Sequence, residues 1–276
     1  MDRKIIRVAH SPDSDDAFMF YALATGKMDT GEFQFIHELH DIETLNQAAV
    51  QGRFEVSAVS IHGYAYLHDK YALLNNGASM GEGYGPIVVG KSSASSDLTG
   101  QMVGIPGERT SAYLALRLCH PEVQCRVIPF DEIIPAVQRD EIDLGLVIHE
   151  GQLLYREEGL KKILDLGEWW KDTTGLPLPL GGNVIRRDLG AEQIQKISSL
   201  LAQSYRYSLN HREAALQYAL QFSRGLDPSK ADRFIAMYVN ERTLDYGDDG
   251  RRSVQLFLDR GYQAGIIPHR IEVEFV

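Results

Sequence analysis

The residues best suited to chemistry in this 276-residue chain sit in two short stretches. The first is HSPDSDDAFMF (His10 to Phe20), which sets Asp13, Asp15 and Asp16 just ahead of an apolar helical run. Carboxylates this dense suit a metal site, a catalytic acid–base pair or a helix start. A calcium loop needs more oxygen ligands and a glycine at its turn, and D-x-D-D supplies neither. Asp13 or Ser14 is expected to cap the helix instead, and Asp15 and Asp16 in its first turn each gain about 0.3–1 kcal/mol from the helix dipole. The second stretch is IDLGLVIHEG, in which His149 ends an apolar strand just before Gly151. Ligands in open α/β sheets bind beyond the carboxyl ends of the strands, and an imidazole placed there can act as a base near neutral pH.

Other motifs carry less. HELH (His37, His40) lacks the H-E-x-x-H spacing, and residues three apart on a strand point to opposite faces. His62, His68, His120, His211 and His269 lie in polar or helix-end contexts and are expected to be solvated. GPIVVGKS (Gly85 to Ser92) has the letters of a phosphate-binding loop, but its middle residues read as a strand, and a Ser-rich connector follows where a helix must start. No nucleophile elbow or Ser/His/Asp arrangement stands out. PGERTSAYLAL (Pro106 to Leu116) is a strand-to-helix turn in which Thr110 or Ser111 caps the helix, and SAVSIHGYA repeats it with Ser57 or Ser60. Such turns aim backbone N–H groups and hydroxyls outward. Two of them facing one cleft suit a carboxylate or phosphate. Trp169–Trp170 and the following TTGLPLPLGG read mainly as packing.

The elements that must position these residues alternate. KIIRVAH, EFQFIHEL, FEVSAVS and YALLNN read as strands. Between them lie the helices DDAFMFYALATGKM, ending near Gly26, DIETLNQAAVQGR, with Asp41 as N-cap and Gly52 as stop, and IHGYAYLHDK. That rhythm predicts a mostly parallel sheet covered by helices. After the strand IVVGK, the connector SSASSDLTGQ marks a domain boundary. A second α/β unit follows, with strands MVGIP, CRVIPF and IDLGLVIHE and helices TSAYLALRLCH and DEIIPAVQRDE, the latter kinked or starting late at Pro135. LPLPLGGNVIRR is strand-like and carries the chain back. From about Gly190 the pattern is helical, with a break near His211. The order predicts a discontinuous first lobe, residues 1–90 plus 185–276, and a second lobe, residues 91–184, hinged around a central interdomain cleft.

Composition bounds the partners. A net charge of −10 repels nucleic-acid phosphates. No apolar run approaches the length of a membrane span, and MDRKIIRVAH does not read as a signal peptide. Cys119 and Cys125 match no zinc or redox spacing. Free thiols in a reducing compartment are expected, hence the cytoplasm. No metal site is expected.

Taken in order, SPDSDDAFMFYAL, DIETLNQAAVQGRFEVSAVS, GEGYGPIVV, PGERTSAYL, GLVIHEGQLLY and LGEWWKDTTGLPLPLGG resemble the 1,4-dihydroxy-6-naphthoate synthase family of the futalosine route to menaquinone. The resemblance covers most of the chain and is weakest in the C-terminal helices. It implies an α/β, two-lobed fold like that of type II periplasmic solute-binding proteins, and a carbon–carbon lyase that converts cyclic dehypoxanthine futalosine to 1,4-dihydroxy-6-naphthoate and dihydroxyacetone. It implies no metal and no organic cofactor. The family's catalytic histidine falls on His149. Its substrate-contacting positions fall on Ser60, Thr110, Ser111 and Asn46, and its first loop borders the cleft, with Ser11 and Asp16 the members expected to touch substrate. Two stretches depart from the family pattern. Ser11 to Phe18 stands where it reads Ser-Pro-Cys-Pro-Asn-Asp-Thr-Phe, and Ser57-Ala58-Val59-Ser60 where it reads Thr-Lys-x-Ser. On this reading His149, neutral at rest, takes a proton from a sugar hydroxyl and a retro-aldol-like cleavage follows. The partner is a small-molecule carboxylate, with no nucleic acid and no membrane; the oligomeric state stays open, a homodimer being one option. The alternatives are chorismate dehydratase of the same pathway and a non-catalytic cytoplasmic protein that binds small anions.

Overall fold

The computed structural model describes residues 3–223 and 226–276. The first part of the chain forms β1 (Lys4–His10), α1 (Ser14–Met19), α2 (Tyr21–Ala24), β2 (Phe33–Leu39), α3 (Ile42–Val50), β3 (Val56–Ser60), α4 (Ile61–Tyr64), β4 (Tyr71–Leu73) and β5 (Ser79–Gly81). Next come β6 (Ile87–Lys91), β7 (Met102–Ile105), α5 (Ser111–Cys119), β8 (Gln124–Val127), α6 (Ile133–Gln138), β9 (Leu144–Val147), α7 (Gly151–Leu154), β10 (Leu160–Asp165) and α8 (Leu166–Thr174). The chain ends with β11 (Leu178–Arg186), α9 (Ala191–Asn210), α10 (Arg212–Ala219), α11 (Pro228–Tyr238), α12 (Glu241–Leu244) and α13 (Gly247–Gln263). Among the described residues no helix is long and apolar enough to cross a membrane.

The strands form two sheets. The first has the order β2-β1-β3-β11-β4, with β5 also paired to β11; the second has the order β10-β6-β9-β7-β8. Each sheet is mixed rather than mostly parallel. β1 runs parallel to β2 and β3, but β11 is antiparallel to β3, β4 and β5, because it comes back from the other sheet. In the second sheet β7 is parallel to β8 and β9, whereas β6 is antiparallel to β9 and β10.

Sheet membership moves the crossings away from the boundaries read from sequence. β6 belongs to the second sheet, so the outward crossing lies between Gly81 and Ile87 rather than at the Ser-rich connector. β11 belongs wholly to the first sheet, so the return precedes Leu178. The polar connector is a surface turn after β6; hydrogen-bonded strand pairing, not connector composition, decides where the chain changes sheets. The two crossings pass side by side: Leu166 N–H donates to Pro86 O at 3.0 Å. A side chain at Gly167 would run into the Tyr84 carbonyl, so only glycine permits this approach.

Below the crossings one apolar core runs through both sheets. It joins Val59 and Ile61 to Val103, Leu144 and Leu146 by way of Trp170, Leu178 and Phe257. Trp170 is fully buried, donates from Nε1 to Ser253 Oγ at 3.0 Å and meets Phe257 edge-on, so the Trp-Trp block packs as expected. A second core joins β1 and β3 to α1, α2 and the C-terminal helices, through Phe18, Phe20, Leu201, Tyr205 and Ile235. This core interrupts the first predicted helix. Phe20, between α1 and α2, stacks on His10 with ring centroids 4.5 Å apart.

Candidate functional site

A cleft of about 760 Å³, counted out to its mouth, opens between the two sheets. Ser11, Asp15, Asp16 and Ser60 line it from the first sheet and its helices, Thr110, Ser111 and His149 from the second, and Phe234 and Tyr238 from α11.

His149 follows β9 in left-handed backbone conformation, φ 57°. For a residue other than glycine this is uncommon and marks a position the surrounding structure holds. Its Nδ1 lies 2.7 Å from Asp13 Oδ2. Asp13 therefore occupies one ring nitrogen, and Nε2 remains for chemistry. Phe130 meets the imidazole edge-on at 5.2 Å. Asp13 is itself fixed: Ser11 Oγ donates to Oδ2 at 2.9 Å. Asp13 occupies the N-cap position of α1 but makes no side-chain cap hydrogen bond. The capping role read from sequence is absent because the carboxylate turns to His149. The first-turn donor is met instead from the other sheet: Glu150 Oε1 accepts from Ser14 Oγ at 3.0 Å and from Ser14 N–H at 3.5 Å. Consecutive residues, His149 and Glu150, thus grip consecutive residues, Asp13 and Ser14, across the cleft.

On the same side of the cleft as His149, after the neighbouring strand β7, Thr110 caps α5, its Oγ1 accepting from Tyr113 N–H at 3.2 Å. The first-turn N–H groups of Ser111 and Ala112 have no partner within the helix, and both residues line the cleft. Ser111 Oγ donates to Leu180 O at 2.5 Å and accepts from His62 N–H at 3.2 Å, tying α5 to α4 and β11. Asn46 does not reach the cleft surface. It lies fully buried behind Ser60, accepting Ser60 N–H on Oδ1 at 2.9 Å and donating from Nδ2 to Ser60 Oγ at 3.2 Å. His62 is 1% exposed rather than solvated. The short α4 turns it inward, where Nδ1 lies 3.3 Å from Thr110 O.

Electrostatics set the state of this wall. Burial disfavours the His149 imidazolium, but the charge of Asp13 and its hydrogen bond, with Glu150 behind them, outweigh it and push the pKa up to about 9. His149 is therefore cationic at rest, not neutral; Asp13, the main carboxylate responsible, lies far away in sequence. Burial also raises Asp16 to about 6, against the pull of the Ser11 N–H at 2.7 Å. Burial, then the charges of Asp16, Asp13 and Glu150, hold the Asp15 carboxyl well above the usual range. Burial lowers His62 to about 4.

Sequence reasoning missed two contributors. The Asp13–His149 pairing has no local signal, because spacing along the chain says nothing about contact between loops of different sheets. Phe234 and Tyr238 were visible only as the apolar stripe of a C-terminal helix; Tyr238 Oη donates to Gln152 Oε1 at 2.7 Å, linking α11 to α7. Among the described residues no group of three or more His, Cys, Asp or Glu side chains is placed to hold a metal ion.

Comparison with known proteins adds an independent line. A protein from Archaeoglobus fulgidus, known as a crystal structure, superposes with a TM-score of 0.92 at 45% identity, over 95% of this chain and 98% of that one. A Candida albicans protein described as having the generic periplasmic binding protein fold superposes with a TM-score of 0.71 at 14% identity, over 96% of this chain and 92% of that one. The fold is thus two-lobed and periplasmic-binding-protein-like. The 1,4-dihydroxy-6-naphthoate synthase of Streptomyces coelicolor is 37% identical over 97% of this chain and 96% of its own. The enzyme of the same name from Thermus thermophilus is 37% identical over 90% of this chain and 91% of its own. The family model for menaquinone biosynthesis matches residues 6–263. The chain belongs to that menaquinone biosynthesis family.

Proposed function

We propose that this protein is a 1,4-dihydroxy-6-naphthoate synthase, a lyase that cleaves cyclic dehypoxanthine futalosine to 1,4-dihydroxy-6-naphthoate and dihydroxyacetone. The observation that carries this reading is the Asp13–His149 pair opening onto the cleft that the N-terminus of α5 also lines. The substrate carboxylate is received by the first-turn N–H groups of Ser111 and Ala112 and by nearby hydroxyls, since a helix N-terminus favours anions. A sugar hydroxyl lies at His149 Nε2. With Asp13 holding Nδ1, the fraction of His149 that has released its proton takes the hydroxyl hydrogen. The oxygen's electrons form a carbonyl as the neighbouring carbon–carbon bond breaks, and the released pair moves onto a ketone oxygen of the ring system, which becomes aromatic. Asn46 acts through Ser60, fixing the backbone and hydroxyl at that position. Two thiols left free, Cys119 and Cys125, fit work in the cytoplasm.

Purified protein mixed with the cyclic substrate should release the fluorescent naphthoate, and His149→Ala should lower kcat by at least about 10³-fold while binding persists. Near-normal turnover in that variant would remove His149 from the chemistry. Product formed from chorismate in the same assay would point to the dehydratase instead.

A further inference from the structure

Four carboxyl groups, Asp13, Asp15, Asp16 and Glu150, gather around the one imidazolium of His149, and of these Asp15 and Asp16 line the cleft. Three of them have donors. Asp13 Oδ2 accepts from Ser11 Oγ and faces His149, Asp16 Oδ2 accepts from Ser11 N–H, and Glu150 Oε1 accepts from Ser14 Oγ. Asp15 differs. Its Oδ1 is out of contact with solvent and has no hydrogen-bond partner among the described residues, yet the residue lines the cleft. Asp15 is half-buried rather than fully buried, yet an ionised carboxylate there would keep one oxygen out of solvent with no donor, facing like charges, which is a costly arrangement. A carboxylic acid is not.

We propose that Asp15 keeps its proton at neutral pH and presents its O–H to the cleft as a hydrogen-bond donor to a substrate oxygen, the ketone oxygen that gains negative charge as the carbon–carbon bond breaks. This rests on the lyase reading above. The groups facing Asp15 support it from each side. Asp13 and Asp16 on the first turns around α1, and Glu150 from the loop before α7, all raise its pKa after burial, and His149 alone opposes them. From α11, Tyr238 donates its hydroxyl proton to Gln152 rather than to Asp15. The cations on the helices packed against α1 are engaged elsewhere or point outward. Arg212 of α10 lies over the Phe18 ring of α1 but pairs with Asp232, Lys196 of α9 pairs with Glu32 and Glu192, Lys230 of α11 pairs with Glu157, and Arg206 and Arg233 are exposed.

The arrangement resolves an apparent conflict in the site. An anionic substrate enters beside a wall rich in aspartate because that wall is not anionic in proportion to its carboxyl count: Asp15 is neutral and His149 is positive. A neutral acid is also well suited to the developing oxyanion. It stabilises charge where charge appears, without repelling the ground state.

Two variants and one spectrum test this. Asp15→Asn retains a neutral donor and should lose only about 3–10-fold in kcat, whereas Asp15→Ala should lose about 10²-fold or more with KM changed far less. In the wild type, kcat/KM should fall at alkaline pH as Asp15 ionises; in Asp15→Asn that fall should be gone. The infrared difference spectrum of wild type against Asp15→Asn at neutral pH should show the carbonyl stretch of one protonated carboxylic acid. The proposal is overturned if Asp15→Asn is as inactive as Asp15→Ala, if Asp15→Ala turns over like wild type, if the alkaline fall persists in Asp15→Asn, or if the infrared band is missing. Should the wild type fail to cleave the cyclic substrate, the lyase reading falls, and the infrared band still decides whether Asp15 holds its proton.

Discussion

Replacing Asp13 by Asn removes one charge and keeps nearly the same shape. In the native protein the His149 pKa stands at about 9 against an ordinary 6.5. At about 1.4 kcal/mol per unit, the folded site favours imidazolium by about 3 kcal/mol relative to water. That figure is already net of burial, the largest single influence, which acts in the opposite direction. Without the Asp13 charge, burial dominates and the pKa drops below 6.5. The rising limb of kcat/KM against pH, which tracks loss of the His149 proton, should therefore move toward acid by about two units or more. The plateau should fall as well. An Asn side chain can offer its N–H to Nδ1 and leave the ring proton on Nε2, where the base is needed; the same change in the His–Asp pair of a serine-protease triad costs about 10⁴-fold. The assay is naphthoate release from pH 5 to 10 for both proteins, together with an NMR titration of the His149 ring. Linkage gives a second readout. Because the folded pKa lies above the unfolded one, the pair's contribution to stability is fully present below the unfolded value of about 6.5 and is lost as pH rises through about 9. If His149 titrates near 6.5 in the wild type, or if Asp13→Asn leaves limb and plateau unchanged, the pairing does not set the chemistry.

Two further expectations come from other parts of the structure. His10 Nε2 lies 3.1 Å from His37 Nδ1, and burial lowers the two to about 4 and about 3. Since the unfolded chain takes up these protons first, stability should fall as pH drops from about 6.5 toward 4, by up to about 1.4 kcal/mol per pH unit per group. His37→Gln, which keeps a donor for His10, should flatten that slope in thermal melts; an unchanged slope would exclude the pair as its source. Asn46→Ala strips Ser60 N–H of its buried acceptor and should cost about 1–3 kcal/mol in denaturant unfolding. It should raise KM more than it lowers kcat, and an unaltered KM would separate Ser60 from substrate binding.

Local chemistry was legible wherever the signal lay within a few residues. Asp41 caps α3, accepting from Thr44 N–H, and Gly52 with φ 72° stops the chain just beyond it. Thr110 caps α5, Pro135 sits in the first turn of α6, and α9 gives way to α10 at His211. Each follows from a residue's own backbone preference or its reach to the next turn. By contrast, β10 and α8 were not anticipated as elements, because KKILD carries two lysines and WWKDTT reads as loop until Asp165 is seen capping Gly167 and Glu168. His62 looked solvated because it sits at a helix end, and the packing of α4 against α5 buries it.

By itself, then, the sequence determined the alternation of strands and helices, the caps and stops that bound them, the family, and His149 as the candidate base. Tertiary structure alone decided which sheet owns β6 and β11, and what the aspartates after β1 are for. Strand pairing and loop contact are long-range events, fixed by which apolar faces can be buried together, and no spacing along the chain encodes them. Hence Asp13, which reads as a helix cap and stands at a departure from the family pattern, becomes the group that charges and orients His149. The pairing needs the β1–α1 loop and the β9–α7 loop to meet across the cleft, and the core beneath both sheets is what brings them together.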